Sequence, residues 1–276
     1  MESRKKELIM NKFGTIFLMA ASVFRAMFGL SACEMKEPYV IVDDMYYHRC
    51  YGKGDQIFFA SSEFYTSGQT HEVHFIAREV EGFPVTTMGV VPYMFTDATP
   101  IAYFNSYEPE RNVIVKNLYC PGSITKCKPN YLRTHFSDAT DMTFRIYYCG
   151  AVVDLSEAGY GKSMIYYVPA EQLEEYRALW HDVEQDFWHE ERAGEICAAN
   201  IEYRLNAEDM ETFYYVDHVE SGNSIQNVPP EPTRRGYKFE GWYLDEDGKE
   251  AWDFSMHVEL GETESLKLYA KWQENE

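Results

Sequence analysis

Short runs in which apolar and polar residues alternate, separated by glycine and proline, recur along most of the chain. That two-residue period predicts strands rather than long helices. Residues 39–42 (YVIV) and 56–60 (QIFFA) are such runs, bounded by Gly52, Gly54 and Gly68. Residues 165–168 (IYYV) have the β-branched and aromatic content of a strand, which Pro169 ends. There the period changes. Leu173, Tyr176, Leu179 and Trp180 recur at helical spacing and predict a helix with one apolar face. The polar stretch 181–199, with Phe187 and Trp188, reads as a helix linking two units. Further on, Tyr237 and Phe239 alternate with Lys238 and Glu240, Gly241 permits a bend before Trp242, and 245–248 form a turn. Leu266, Leu268 and Ala270 then share one face of a final strand, with Lys267, Tyr269 and Lys271 on the other. At the N-terminus the pattern differs: Arg4, Lys5, Lys6 and Lys12 precede the uncharged run 13–24 (FGTIFLMAASVF). Such a basic stretch followed by a short apolar core predicts an export signal, too short to span a membrane comfortably.

Composition narrows the function classes. With 276 residues, 45% of them hydrophobic, the chain has material for two folded units behind a leader. The formal net charge of -20 excludes the usual nucleic-acid binder, because phosphate contacts require lysine and arginine. The same charge repels anionic headgroups, so membrane attachment has to come from a lipid or an apolar segment. Twenty-two tyrosines favour β structure. Of the six cysteines, setting Cys33 aside leaves an odd set, Cys50, Cys120, Cys127, Cys149 and Cys197. None of these has C-x-x-C spacing, so buried apolar thiols are expected rather than a metal site, and a bridge such as Cys120 with Cys127 stays open.

Several segments resemble known families. Leu30, Ser31, Ala32 and Cys33 resemble the lipobox of bacterial lipoproteins, which implies lipidation of Cys33; Arg25 interrupts the apolar stretch, and Met10 is an alternative start. Residues 82–89 (GFPVTTMG), then Met94 and Phe95, resemble the G-x-P-V-T-x-I-G to A-F signature of BspA-like leucine-rich repeats. Residues 118–125 (LYCPGSIT) and 164–180 resemble later pieces of the same arrays, the last closing the stack with a helix. The leucine and isoleucine spacing is irregular, with an insert around 102–111. The C-terminal pattern includes Pro230, Pro232, Gly236, Tyr237, Phe239, Gly241, Trp242 and Tyr243, then Leu268, Tyr269, Ala270, Lys271 and Trp272. It resembles the internalin B-repeat, or Listeria–Bacteroides repeat, family over residues 200–273. The expected fold is mainly β with short helices: an irregular leucine-rich-repeat-like solenoid followed by a small β-grasp-like domain. The expected divisions are 1–33 signal peptide, 34–180 repeat region with a terminal capping helix, 181–199 linker helix and 200–276 C-terminal domain.

Motifs that imitate catalytic sites fail on spacing. Residues 159–163 (GYGKS) end like a phosphate-binding loop, but Ser156 stands where the leading glycine is needed. His71 and His74 lack the i, i+4 spacing that places two imidazoles on one helical face, and read as surface residues. No G-x-S-x-G elbow occurs. Glu171, Glu174 and Glu175 read as a solvated helix face, and Trp242 and Trp272 as core. The sequence therefore assigns no catalytic residue, metal ligand or cofactor, and no binding residue can be read from it. The expectation is an exported, non-enzymatic bacterial surface protein, an adhesion or interaction scaffold for a host or bacterial surface protein or glycan. It would be lipid-anchored through Cys33, because only four residues follow Trp272 and hold no sorting signal. The alternatives are a secreted enzyme or solute-binding lipoprotein with its site in 34–180, and a structural spacer.

Overall fold

In a computed structural model of the chain, the described residues are 39–43, 45–51, 56–64, 72–88, 103–104, 115–127, 133–134, 143–156, 164–180, 194–261 and 264–275. The leader with Cys33, the 159–163 motif, His71 and residues 181–193 lie outside them.

Strands dominate these residues. The first part holds β1 (Tyr39–Val42), β2 (Met45–Tyr51), β3 (Gln56–Phe64), β4 (Val73–Phe75), β5 (Glu79–Val80), β6 (Phe83–Met88) and β7 (Tyr103–Phe104). It continues with β8 (Asn117–Cys120), β9 (Lys126–Cys127), β10 (Arg133–Thr134), β11 (Phe144–Tyr148) and β12 (Met164–Val168). Helix α1 (Leu173–Leu179) and β13 (Gly194–Ala198) follow, then β14 (Ile201–Arg204), β15 (Phe213–Asp217), β16 (Tyr237–Tyr243) and β17 (Leu266–Glu274). The chain is mainly β, as expected.

Five strands, β4, β8, β11, β12 and β13, form a parallel sheet in which chain order and spatial order coincide. The register aligns Phe75 with Tyr119, Tyr119 with Tyr147, Tyr147 with Tyr167 and Tyr167 with Cys197. A second ladder runs alongside, with β3, β6 and β9 parallel to one another. Two consecutive turns of chain therefore stack, β4 and β6 on β8 and β9. At the corners Ile76 N–H donates to the Tyr119 carbonyl (2.9 Å) and Thr125 N–H to that of Thr86 (2.8 Å). The β5–β6 hairpin turns on Glu81 (φ 53°) and Gly82 (φ 78°). Two consecutive positive φ values suit the right-handed twist of a hairpin, and glycine supplies one without strain.

Both faces of the parallel sheet are buried, which is the rule for such sheets. Leu118, Cys120, Ile146, Tyr148, Tyr166 and Val168 point into one core, shared with Val85, Met88 and Tyr176. The alternate residues Phe75, Tyr119, Tyr147 and Tyr167 point the other way, into a core shared with the C-terminal sheet. This explains one departure from expectation. His74, read as a surface residue, is buried because its strand has no solvent face.

Two further expectations change. Helix α1 forms where predicted, with Tyr176 buried and its hydroxyl donating to the Gly150 carbonyl at 2.9 Å. It does not close the stack, because β13 follows it and extends the sheet; α1 is the crossover between two parallel neighbours, as parallel pairing requires. Leu179, placed on the apolar face by spacing, is exposed. Nor is 194–198 part of a linker helix. Gly194–Ala198 is a strand, and only Ala199 and Asn200 separate it from β14. Polarity suggested a solvated helix, but pairing to β12 decides the conformation.

The C-terminal sheet runs β15, β14, β17, β16 with its central pair parallel and both outer pairs antiparallel. Gly241 (φ 131°) sits where the β16–β17 register shifts, a bulge that only glycine adopts comfortably. The extra residue turns Trp242 to the same side as Phe239, and the two rings meet edge to face at 5.3 Å. The face division read for β17 holds at Leu268 and Ala270, both fully buried. Trp272 also packs on this core and donates to the Leu205 carbonyl at 2.6 Å.

Candidate functional site

The seam between the parallel sheet and β15 brings a buried carboxyl against a stack of aromatic rings. Its floor is a stack of rings, one from each successive strand of the sheet. Phe75 lies on Tyr119 (4.2 Å), Tyr119 on Tyr147 (4.3 Å), Tyr147 on Tyr167 (5.1 Å), and His218 on Tyr167 (4.6 Å), all near parallel. In-register parallel pairing brings like positions together, so one aromatic per turn of chain produces the stack. Each such pair adds about 0.5–1.5 kcal/mol beyond its buried area.

Asp217, the last residue of β15, lies against this floor with 2% of its surface exposed. Its Oδ1 accepts from the Tyr119 hydroxyl (2.9 Å) and from His218 N–H (2.8 Å). Asn227 donates through Nδ2 to the Tyr119 oxygen (2.9 Å), which fixes the hydroxyl proton toward Asp217. Oδ2 takes no donor from the described residues. Burial pushes the Asp217 carboxyl up to about 7, against the smaller opposing pull of its two hydrogen bonds. Burial, and then the Asp217 charge, hold the Tyr119 hydroxyl far above the ordinary tyrosine range. His218 shifts the other way: the part of its ring shielded from water disfavours the imidazolium. Above Asp217 opens a depression of about 400 Å³, lined by Tyr147, His218, Glu220, Gln226, Asn227 and His257 among others.

Elsewhere the seam is closed by direct contact. Arg78 forms a two-pronged pair with Glu211, one prong at 2.9 Å, and also reaches Glu79. Thr233 donates to Glu79 (2.7 Å) and the Tyr215 hydroxyl to the Ile76 carbonyl (2.5 Å). Gly122 N–H donates to the Tyr214 carbonyl (3.1 Å), and a Cβ at Gly122 would lie 1.9 Å from the Phe213 carbonyl oxygen. The C-terminal sheet is thus set directly onto the parallel sheet.

Residues singled out from sequence are not brought together here. Cys33 lies outside the described residues. Glu171 and Glu174 are exposed and pair with Arg204 and Arg177; Glu175 is exposed as well. Trp242 and Trp272 belong to the core. Cys120, Cys127, Cys149 and Cys197 are free thiols, so the bridge left open between Cys120 and Cys127 is not formed. Burial pushes Cys127 up to about 12 and Cys197 to about 11, and Cys120 and Cys149 well above the usual thiol value. Thiolate chemistry is suppressed at all four. Asp217, Tyr119 and Asn227 were not recognised from sequence. An aspartate ending the apolar run FYYVD was the available signal, indistinguishable there from the polar end of a strand.

Residues 200–271 match the family model of the Listeria-Bacteroides repeat domain, bearing out the C-terminal resemblance. Over 52 residues the chain is 44% identical to an Evansella cellulosilytica protein provisionally named a membrane protein, covering 19% of this chain and 7% of that one. A second protein of that organism, provisionally named a Gly-rich membrane protein, is 47% identical over 57 residues, 20% of this chain and 6% of its own length. The matches thus span less than a tenth of either relative.

Proposed function

We propose that the chain is an exported bacterial cell-surface protein that serves as a non-enzymatic interaction scaffold, anchored by lipid on Cys33. In this reading the in-order parallel strands and their second ladder are a short leucine-rich-repeat-like solenoid. The C-terminal sheet, with its parallel central pair, is a small β-grasp-like repeat. The observation that carries the proposal is the seam, where ring stack, ion pair and the Gly122 contact join a repeat of this family to a stacked sheet as one presenting surface. The match over 200–271 and the relatives' membrane names support surface location. The suppressed thiols and the paired or solvated carboxylates of α1 support a role without covalent catalysis.

A second reading, a solute-binding lipoprotein, is favoured by one observation: a carboxyl with a raised pKa opens into a cleft. That cleft is drawn mostly from residues 217–227 and 257 rather than from 34–180.

Fractionation of the native host with intact mass measurement tests the surface reading. The wild type is expected in the membrane fraction as a chain beginning at Cys33 with an acyl adduct, and Cys33→Ala is expected in the medium, since a lost lipid removes the anchor. An unprocessed wild-type chain, or a variant retained as well as the wild type, refutes the anchoring.

A further inference from the structure

The loop that follows β15 spends its main chain within the protein. Gly222 N–H donates to the Val258 carbonyl (2.8 Å), Val258 N–H to that of Asn223 (2.8 Å) and Asn223 N–H to that of Glu220 (3.0 Å). Asn200 holds Val219 from both sides, its Nδ2 donating to the Val219 carbonyl (2.7 Å) and its Oδ1 accepting from Val219 N–H (2.9 Å). The His257 ring nitrogen Nδ1 lies 2.7 Å from the Gly222 carbonyl. A loop tied down in this way holds its side chains in fixed positions before any ligand arrives.

Those side chains present donors and acceptors side by side to the cleft beside Asp217. Among the described residues, neither amide atom of Asn223 is engaged by another side chain or by the main chain. Asn227 gives one N–H to Tyr119 and keeps its second N–H and its oxygen. Ser224 Oγ accepts from Gln226 Nε2 (2.7 Å) and keeps its own hydroxyl proton. Behind them Asp217, buried in the seam, turns Oδ2 to the cleft without a donor. A buried acceptor left unpaired is costly, so a ligand that donates there is favoured.

This set excludes several ligand classes. No lysine or arginine is among the lining residues described, and Arg145, which acts on His218, is hydrogen-bonded to Tyr167 instead. A carboxylate, phosphate or sulfate would therefore meet Asp217 and Glu220 without a cation. An ammonium or guanidinium has no acceptor, and would leave the free N–H and O–H groups of Asn223, Asn227 and Ser224 facing a donor. A peptide main chain is usually captured by unpaired main chain at a sheet edge, whereas here the main-chain groups are already paired. A neutral polyol matches, because each hydroxyl both gives and takes a hydrogen bond. The cleft, of about 400 Å³, lies toward the small end of the range for small-molecule sites.

We propose that the cleft binds a neutral pyranose ring, such as the terminal residue of a surface glycan, with Asp217 Oδ2 as the innermost acceptor and the Asn223 and Asn227 amides each addressing neighbouring hydroxyls. The proposal rests on the scaffold reading in naming what the surface recognises. Its test is made in solution, so its failure leaves the anchoring question where the fractionation experiment puts it.

The test is a nitrogen-15 NMR titration of the whole mature protein with methyl β-D-glucopyranoside, methyl β-D-galactopyranoside and methyl α-D-mannopyranoside. Methyl β-D-glucuronide serves as the anionic comparison and N-acetyl-diglycine methylamide as the peptide comparison. At least one neutral glycoside should saturate with a Kd in the millimolar range and shift the side-chain NH2 signals of Asn223 and Asn227, and neither comparison compound should do so. Asp217→Asn should weaken the glycoside about tenfold, since its amide oxygen is needed by Tyr119 and His218 N–H and a donor then stands where Oδ2 accepted. Asn223→Ala, on the exposed part of the loop, should weaken it about fivefold and keeps the test decisive should the Asp217 variant fail to fold. Saturation by none of the three glycosides means that the cleft holds water alone. That result, equal binding of the glucuronide or the peptide, or glycoside binding unchanged by Asn223→Ala overturns the proposal.

Discussion

Replacing Gly122 by alanine should destabilise the protein by about 3 kcal/mol, an effect of the size produced by overpacking a well-filled core. The added Cβ would stand 1.9 Å from the Phe213 carbonyl oxygen and 2.9 Å from its carbon. Both are backbone atoms of β15, so no rotamer change relieves the clash. Either the turn or β15 must move, and the movement breaks the Gly122–Tyr214 hydrogen bond and opens the seam that buries Tyr119 and Tyr214. Urea denaturation at fixed pH reads the change directly. A loss below about 1 kcal/mol would mean that the two sheets do not approach this closely at the turn.

Stability should also depend on pH through Asp217, with a sign opposite to that of an ordinary carboxylate. The folded carboxyl titrates near 7 and the unfolded one near its usual 3.8, so between these values the folded state binds more protons. Stability is then fully present below about pH 4 and declines as pH rises to 7, by an amount on the order of 4 kcal/mol. Other groups titrate as well. His218, with its pKa lowered by partial burial, pushes in the reverse direction as pH rises, while Asp245, held low by the Glu250 N–H, and Asp253, held low by the Ser255 side chain, lose their contribution only as pH falls below about 4. The observable is therefore the difference between wild type and Asp217→Asn. It should shift steadily in favour of the variant from pH 4 to pH 8, because the amide cannot ionise in the seam. A difference constant across that range would show that Asp217 ionises as freely folded as unfolded.

The sequence by itself determined what depends on neighbours along the chain. The strand at 164–168, its termination at Pro169 and the helix beginning near Leu173 follow from local period and from a residue that lacks an N–H. The bend at Gly241, the 245–248 turn and the two faces of β17 follow in the same way, and the C-terminal family was legible because its aromatic and glycine positions are closely spaced. Only the tertiary structure decided what depends on contacts between distant segments. Gly194–Ala198 became a strand because β12 offered an open edge, and His74 was buried because a parallel sheet is covered on both faces. The candidate site was hidden for the same reason: Tyr119 and Asp217 lie ninety-eight residues apart and meet only when β15 settles on the sheet. Whether an aspartate at the end of a strand is a solvated terminus or a buried acceptor is set by what packs over it. That cover comes from elsewhere in the chain.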